Sequence, residues 1–542
     1  MVGPSSLLQV LASLSFLPAL LALPSRNAAP KQLVLVPDAA RQAPPTMPMP
    51  GKNESGHGHF SKWSRQTKKQ FLHDLSYAPA KAQDWVIVMG RSLFFRVVAR
   101  ALSYSAPSGV RELTNVCFAV GAIGNEAGDL DSMVSALAVS YTMMHLKKPV
   151  KAVALLQTEQ DALYLRPENS LALHKARMAS HHRDLLTIDE LPIKPQDMWH
   201  RIKGIALVDH NVPTSVWGNT TVVSIIDHHT DRGVAPHASP RIVEVTASCT
   251  SLVAKWMLDL FDSGKAQAKN DHLPHELIEI MLRTIAIDSS GLKKATPVDE
   301  EATLGLWAKS KWSKHHFEPL EPFVRSQAAG DVKEIDEEIK NRMKAIDDEL
   351  SQAKKNLTGL DVRALLRRDW KGGVLTTKSE KYPHLSLGFA SAPVSLAEQI
   401  ERTPEGSPQE WFAIERAWTA EIGADVSVCL TSFENEKGKK TRELALVVAH
   451  GFGKRLHEHA ADSLFQTLKK SIENAGVEDL QVWERPDGKP LLPRRAVYRH
   501  HDSTASRKMW RPVIEKAAME WTGDDVDDDD PYQRRHKHHD LL

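Results

Sequence analysis

The chain has 542 residues, 42% of them hydrophobic and 25% charged, a globular balance with room for two domains and tails. Its formal net charge of +1 supplies no whole-molecule field toward nucleic acid or membrane, so a polyanionic substrate would need a local basic groove. The three cysteines, Cys117, Cys249 and Cys429, exclude a disulfide scaffold and leave an odd thiol.

Residues 7–23 are almost wholly apolar, with small residues at Ala22, Ala28 and Ala29. This suits a signal h-region and is too short and Pro-interrupted for a membrane span, although no Lys or Arg precedes Arg26. The expectation is a signal peptide over 1–23 and a secreted, vacuolar or other lumenal address, with no stable span in the mature form; a cytoplasmic address is the alternative. Sequons at Asn53, Asn219 and Asn356 agree with the first address and alone decide nothing. Residues 24–59, rich in Pro, Ala, Ser and Gly, read as a disordered linker. A first domain over 60–330 opens with an amphipathic helix and its exit over 60–85. An apolar run at 116–120 predicts a buried strand, and a helical pattern follows over 132–145. Strands are predicted at 150–156, 205–208 and 222–226, and helices at 251–261 and 277–287. Strands alternating with helices give an α/β fold, a parallel sheet with helices on both faces. A polar helix at 332–356 reads as a connector over 331–356. A smaller α/β domain occupies 357–520, with strands at 385–390, 425–430 and 444–448. The acidic and His-rich tail, 521–542, reads as solvated, metal capture by its histidines being the weaker alternative.

Four segments of the first domain carry acidic or imidazole groups directly after an apolar strand or within an apolar helix. They are Gly124-Asn125-Glu126-Ala127-Gly128-Asp129-Leu130-Asp131, Ala206-Leu207-Val208-Asp209-His210-Asn211, Ser224-Ile225-Ile226-Asp227-His228-His229 and Thr284-Ile285-Ala286-Ile287-Asp288. Ligands of open α/β sheets bind outside the carboxyl ends of strands, which would bring three of these segments to one edge. Gathered carboxylates repel, and a divalent cation is the usual remedy. Taken singly each segment is weak: Asp-x-Asp is more often a helix cap, and a His-His pair such as His181-His182 is commonly a surface feature. Asp288 is more telling, because an ionised carboxylate in an apolar run needs a partner. The pairs His57/His59 and His457/His459 lack the flanking ligands of a zinc site, and 450–454 reads as a strand-end turn rather than a nucleotide loop.

The ordered set Asn-x-x-x-Asp-x-Asp, Val-Asp-His-Asn, Asp-His-His and Ile-Asp resembles the DHH phosphoesterase superfamily. Within it, the likeness is to the branch of exopolyphosphatases, family II inorganic pyrophosphatases and prune-type phosphatases. Pro240-Arg241-Ile242-Val243-Glu244-Val245, Ala247-Ser248-Cys249-Thr250-Ser251-Leu252-Val253, Arg367-Arg368-Asp369-Trp370-Lys371 and Ser506-Arg507-Lys508 extend the likeness over about residues 60–520.

The resemblance implies two divalent cations. Asn125, Asp129 and Asp209 would hold one; Asp131, Asp209, His228 and Asp288 would hold the other, with Asp209 bridging. Asp227 would orient an imidazole, and His229 would face the substrate phosphate. Lys371, Arg507 and Lys508 would bind phosphate oxygens as the second domain closes over an interdomain cleft. The pyrophosphatases carry His where this chain has Asn125; an amide oxygen makes that site harder, favouring Mg²⁺ over Mn²⁺. The implied activity is removal of terminal orthophosphate from inorganic polyphosphate by a metal-activated water, with His229, Asp227 and Asp209 as the catalytic set. Alternatives are an inorganic pyrophosphatase, a prune-like hydrolase of short polyphosphates or nucleotides, and a polyphosphate-binding protein with a degenerate site. No nucleic-acid partner is expected, because a basic stripe interleaved with aromatics is lacking; the oligomeric state stays open.

Overall fold

Apolar β-branched runs and amphipathic stretches alternate in the first domain, and its backbone follows them. A computed structural model describes residues 58–90, 128–179, 183–267, 272–312, 335–450, 456–485, 488–502 and 504–523. All of these lie in one unit, 39–542; the other unit, 1–38, lies outside the described residues. So do the expected signal segment, Asn125, the predicted strand at 116–120, His181-His182 and most of the tail.

The first domain comprises, in chain order, α1 (His59–Tyr77), α2 (Pro79–Ala82), β1 (Val86–Met89), α3 (Leu130–Met144), β2 (Ala152–Leu156), α4 (Pro167–Lys175), β3 (Leu186–Thr187), β4 (Gly204–Val208), β5 (Val222–Asp227), β6 (Arg241–Val243), α5 (Cys249–Asp262), α6 (His275–Asp288), α7 (Pro297–Ala308) and α8 (Glu337–Lys355). Its six strands run in the order β3-β2-β1-β4-β5-β6, every pair parallel. Both faces are covered, as a parallel sheet requires. Val86 and Val88 pack with α3, α5 and α6, while Ile87 and Met89 meet Phe71, Leu75 and Trp217 on the opposite face. The central strand is thus β1, a run of four buried residues that begins just past the predicted helix and exit over 60–85.

From β1 the chain moves outward to β2 and β3, then returns to the centre at β4 and moves out the other way. The reversal between β1 and β4 opens a crevice at their carboxyl ends. Glycine is required there: a Cβ on Gly90, just past β1, would lie 2.4 Å from the Ser132 carbonyl oxygen in the first turn of α3. A second requirement falls after α6, where Gly291 has φ +65° and a Cβ would sit 2.8 Å from Lys344 Cα. The helix expected as a connector, α8, buries the stripe Ile339, Met343, Ile346 and Leu350 in the first domain's core, the 3–4 spacing of an amphipathic face.

The second domain comprises α9 (Val362–Arg368), β7 (Lys371–Thr376), β8 (His384–Ala392), α10 (Leu396–Glu401), α11 (Pro408–Glu421), β9 (Val426–Thr431), β10 (Phe433–Glu434), β11 (Lys440–Val448), α12 (Glu458–Glu473), β12 (Gln481–Val482), β13 (Arg495–His500) and α13 (Arg507–Glu520). Its sheet is mixed, ordered β12-β13-β11-β9-β8-β7 with β10 against β11; β8 and β9 are parallel and the other pairs antiparallel. The α12 and α13 helices cover one face and α9 and α11 the other. The domains share an apolar cluster of Ala162 and Leu165 with Leu357, Leu365 and Val394. Beside it, buried Arg367 reaches Glu159 at 2.7 Å and Asp161 at 3.0 Å. Among the described residues no helix is long and apolar enough to cross a membrane.

Candidate metal and phosphate site

Each acidic residue of the crevice arrives from a different element. Asp129 is the N-cap of α3, its Oδ1 accepting from Ser132 N at 3.1 Å. Asp131, in the first turn of α3, is buried. Asp209 follows β4 in a left-handed conformation, φ +59°, which Asp tolerates better than most residues and which turns its carboxylate back into the crevice. Asp227 ends β5, so His228 and His229 leave the sheet together. Asp288 closes α6.

These groups converge. His228 Nε2 lies 3.1 Å from Asp209 Oδ1 and 3.9 Å from Asp131 Oδ2, and His229 Nδ1 lies 3.7 Å from Asp209 Oδ1. Asp209, His228 and His229 thus offer a trio of ligand atoms within reach of one ion. Asp129's charge bears on Asp131, Asp209 and Asp288 alike. The first domain therefore brings together Asp129, Asp131, Asp209, His228 and Asp288, with Asp227 and His229 beside them. Asn125 lies outside the described residues.

The electrostatics describe a cluster short of positive charge. Burial, then the Asp129 carboxylate, pushes Asp209 up to about 7. Burial also raises Asp131, and raises Asp288 well above the carboxylate range with Asp131 and Asp129 adding to it. For His228, burial alone would lower the imidazole, yet the Asp209 hydrogen bond and the charges of Asp131 and Asp209 carry it to about 10.

The donor set fits divalent cations. Asp288 Oδ2 is enclosed without a hydrogen-bond partner. Asp131 Oδ1 accepts from Ser248 Oγ, Thr250 N and Thr250 Oγ1 at 2.9, 2.7 and 2.6 Å, whereas Oδ2 accepts from Cys249 N at 2.7 Å and keeps a lone pair toward His228. Ligand atoms at 2.0–2.1 Å around an octahedral ion lie about 3 Å apart when adjacent and about 4.2 Å when opposite. The spacings around His228 Nε2 fall in that span.

Several positioning residues were not singled out in the sequence. Thr246 O takes His228 Nδ1 at 3.0 Å, aiming Nε2 at the carboxylates. Asp227 Oδ1 takes His229 Nδ1 at 2.9 Å, so the imidazole that Asp227 orients is that of His229. Asn211 donates to Asp227 Oδ2 at 2.5 Å and to Thr230 O at 3.0 Å, and accepts from Arg232 N. Opposing that tether, burial favours the neutral acid, but the His229 and Asn211 hydrogen bonds hold Asp227 below its ordinary range. Ser132 Oγ donates to Asp209 Oδ2. Asn211 had a signal, the last residue of Val-Asp-His-Asn; the hydroxyls had none, since their partners are about 77–119 residues away.

The expected phosphate-binding cations lie in the second domain. Lys371 begins β7, and Arg507 and Lys508 open α13, whose amino-terminal backbone favours anions. Arg507 Nη1 reaches Asp369 O at 2.9 Å and Asp369 Oδ2 at 3.1 Å, two positions before Lys371. Lys508 is exposed.

Comparison with known proteins matches these two halves separately. The family model for the DHH family, N-terminal domain, matches residues 119–285, and that for the DHHA2 domain matches 348–517. A Schizosaccharomyces pombe protein provisionally named an exopolyphosphatase is 27% identical over 401 residues, spanning 72% of this chain and 88% of its own. Mus musculus exopolyphosphatase PRUNE1 is 24% identical over 408 residues, spanning 73% of this chain and 74% of its own. A Methanococcus jannaschii structure provisionally assigned as a family II inorganic pyrophosphatase covers 72% of this chain and 96% of its own; at TM-score 0.39 and 17% identity it superposes too loosely to argue from. With both domain models matched in order along the chain, the protein belongs to the DHH family, in the form that carries a DHHA2 domain.

Proposed function

We propose that this protein is a metal-dependent exopolyphosphatase that removes terminal orthophosphate from inorganic polyphosphate. The observation that carries the reading is the gathering of Asp129, Asp131, Asp209, Asp288 and His228 at one crevice, with Asp288 Oδ2 left unpartnered. The exopolyphosphatase names of the relatives support the substrate.

Asp209, at the centre of the cluster, would be shared between two cations. Asp131, His228 and Asp288 would complete one set, and Asp129 with Asn125 the other. Bound there, divalent cations lower the pKa of a water toward neutrality and neutralise phosphoryl charge. An all-oxygen set of Asn125, Asp129 and Asp209 would favour Mg²⁺. His229, its Nδ1 engaged by Asp227, would present Nε2 to the leaving phosphate as hydrogen-bond donor. Lys371, Arg507 and Lys508 would take phosphate oxygens as the second domain closes, the Arg507 fork bidentately and the lysines as point charges.

A matrix of Mg²⁺ and Mn²⁺ against pyrophosphate, tripolyphosphate and long-chain polyphosphate tests the reading by orthophosphate release. Long chains should be cleaved with either ion. Release from pyrophosphate alone would move the assignment to a pyrophosphatase, and release from none would overturn it. For the address we propose the secretory pathway from residues 7–23, which predicts a glycosidase-sensitive mass on secretory expression at exposed Asn219 or Asn356; an unglycosylated cytosolic product would contradict it.

A further inference from the structure

We propose that Asp299 is a positioning residue that sets cation affinity by pinning the 246–251 loop, which in turn fixes two cation-holding side chains. The proposal rests on the reading of the crevice as a divalent-cation site and adds a residue remote from it in sequence.

Asp299 is fully buried in the first turn of α7, and its carboxylate accepts five hydrogen bonds. Two belong to its own helix start: Thr296 N and Thr296 Oγ1, each at 2.7 Å to Oδ2. The other three reach another segment about fifty residues away. Ala247 N donates to Oδ2 at 2.9 Å, Ser248 N to Oδ1 at 3.3 Å and Ser251 Oγ to Oδ1 at 2.6 Å. A helix cap needs only the first pair.

The loop so held leads directly into the crevice. Its first residue supplies the carbonyl that orients His228, and Ser248, Cys249 and Thr250 supply the donors that fix Asp131. Thr246 Oγ1 closes the loop on Ser248 O at 2.8 Å. One buried carboxylate therefore fixes the frame on which His228 and Asp131 are mounted. Hydrogen-bond partners of metal-holding side chains typically contribute roughly 10–100-fold in metal affinity.

Titration calorimetry with Mn²⁺ alone, on the metal-stripped full chain, tests this alongside thermal melts. Asp299→Asn keeps an oxygen for Ser248 and Ser251 but loses the acceptor for Ala247 N and, in the α7 cap, for Thr296 N and Thr296 Oγ1. It should weaken Mn²⁺ binding by about tenfold or more. Its KM for polyphosphate should stay near wild type, and kcat should recover as Mn²⁺ is raised. Thr296→Ala breaks only the α7 cap; it should lower the melting temperature while leaving Mn²⁺ affinity within about threefold, below the range for loss of a ligand's partner. Ser251→Ala, a milder change should Asp299→Asn not fold, should weaken Mn²⁺ binding several-fold. Wild-type Mn²⁺ affinity in the folded Asp299→Asn protein, or in Ser251→Ala, would overturn the proposal. A wild-type chain that binds no Mn²⁺ would instead sink the cation reading beneath it.

Discussion

The carboxyl edge of the first sheet and the opening turn of α13 handle charge in opposite ways. At the sheet edge Asp131 and Asp209 are buried, each tethered by hydroxyls or backbone amides, and burial drives them toward the neutral acid. At α13, Arg507 keeps a fifth of its side chain exposed and Lys508 lies in solvent. Buried like charges are expensive unless something compensates them, so the first cluster requires a cation to be ionised together. Arg507 already has Asp369 as its partner, and an exposed cation such as Lys508 needs none in water. On the proposed reading, the contrast separates a site that would assemble metal from a surface that would select substrate.

Removing the centre of the acidic cluster should do most harm. Asp209→Asn should abolish nearly all phosphate release and Mn²⁺ uptake, a loss beyond the roughly 10–100-fold attached to a ligand's hydrogen-bond partner. Activity near wild type would erase the distinction between the regions. Arg507→Ala should lower kcat/KM by about 10–100-fold through KM, the ~1.5–3 kcal/mol of a hydrogen bond to a charged group, with Mn²⁺ affinity unchanged. A loss of metal binding in that variant would join the two regions into one. Asn211→Ala loosens Asp227 and through it His229; a fall of roughly tenfold in kcat with Mn²⁺ binding retained is expected.

The smallest effect is a pH dependence of the metal-free fold. Asp209 is raised from 3.8 to about 7, so the stability it contributes is present below 3.8 and lost as pH rises through 7. His228 is raised from 6.5 to about 10, and its contribution is present below 6.5 and lost toward 10. Both signs agree: the metal-free protein should melt lower as pH rises from 5 to 9, and Mn²⁺ should flatten the slope by displacing those protons. Melting temperatures that rise with pH in the absence of metal would contradict the crowding of carboxylates.

Much of the α/β architecture was legible because burial on both faces leaves continuous apolar runs such as 204–208, and because amphipathic helices separate them. The central strand was not. At four residues, β1 is too short a run to stand out just past the predicted helix and its exit, and the apolar run at 116–120 lies outside the described residues. The acidic residues that gather at the crevice were visible as charges on apolar elements. Their supports were not, because Asp299 reads locally as half of a Thr-x-x-Asp helix start and only the tertiary fold reveals its reach to Ala247 and Ser248. Similarly, α8 read as a connector because its apolar stripe is only four residues within a charged sequence.

The most direct test is metal stoichiometry measured together with turnover, by equilibrium dialysis against Mn²⁺ and orthophosphate release from long-chain polyphosphate on the same preparation. Two ions per chain, with release that vanishes on chelation and returns on adding Mn²⁺, is the predicted result. Full release from a chain stripped of metal would contradict it.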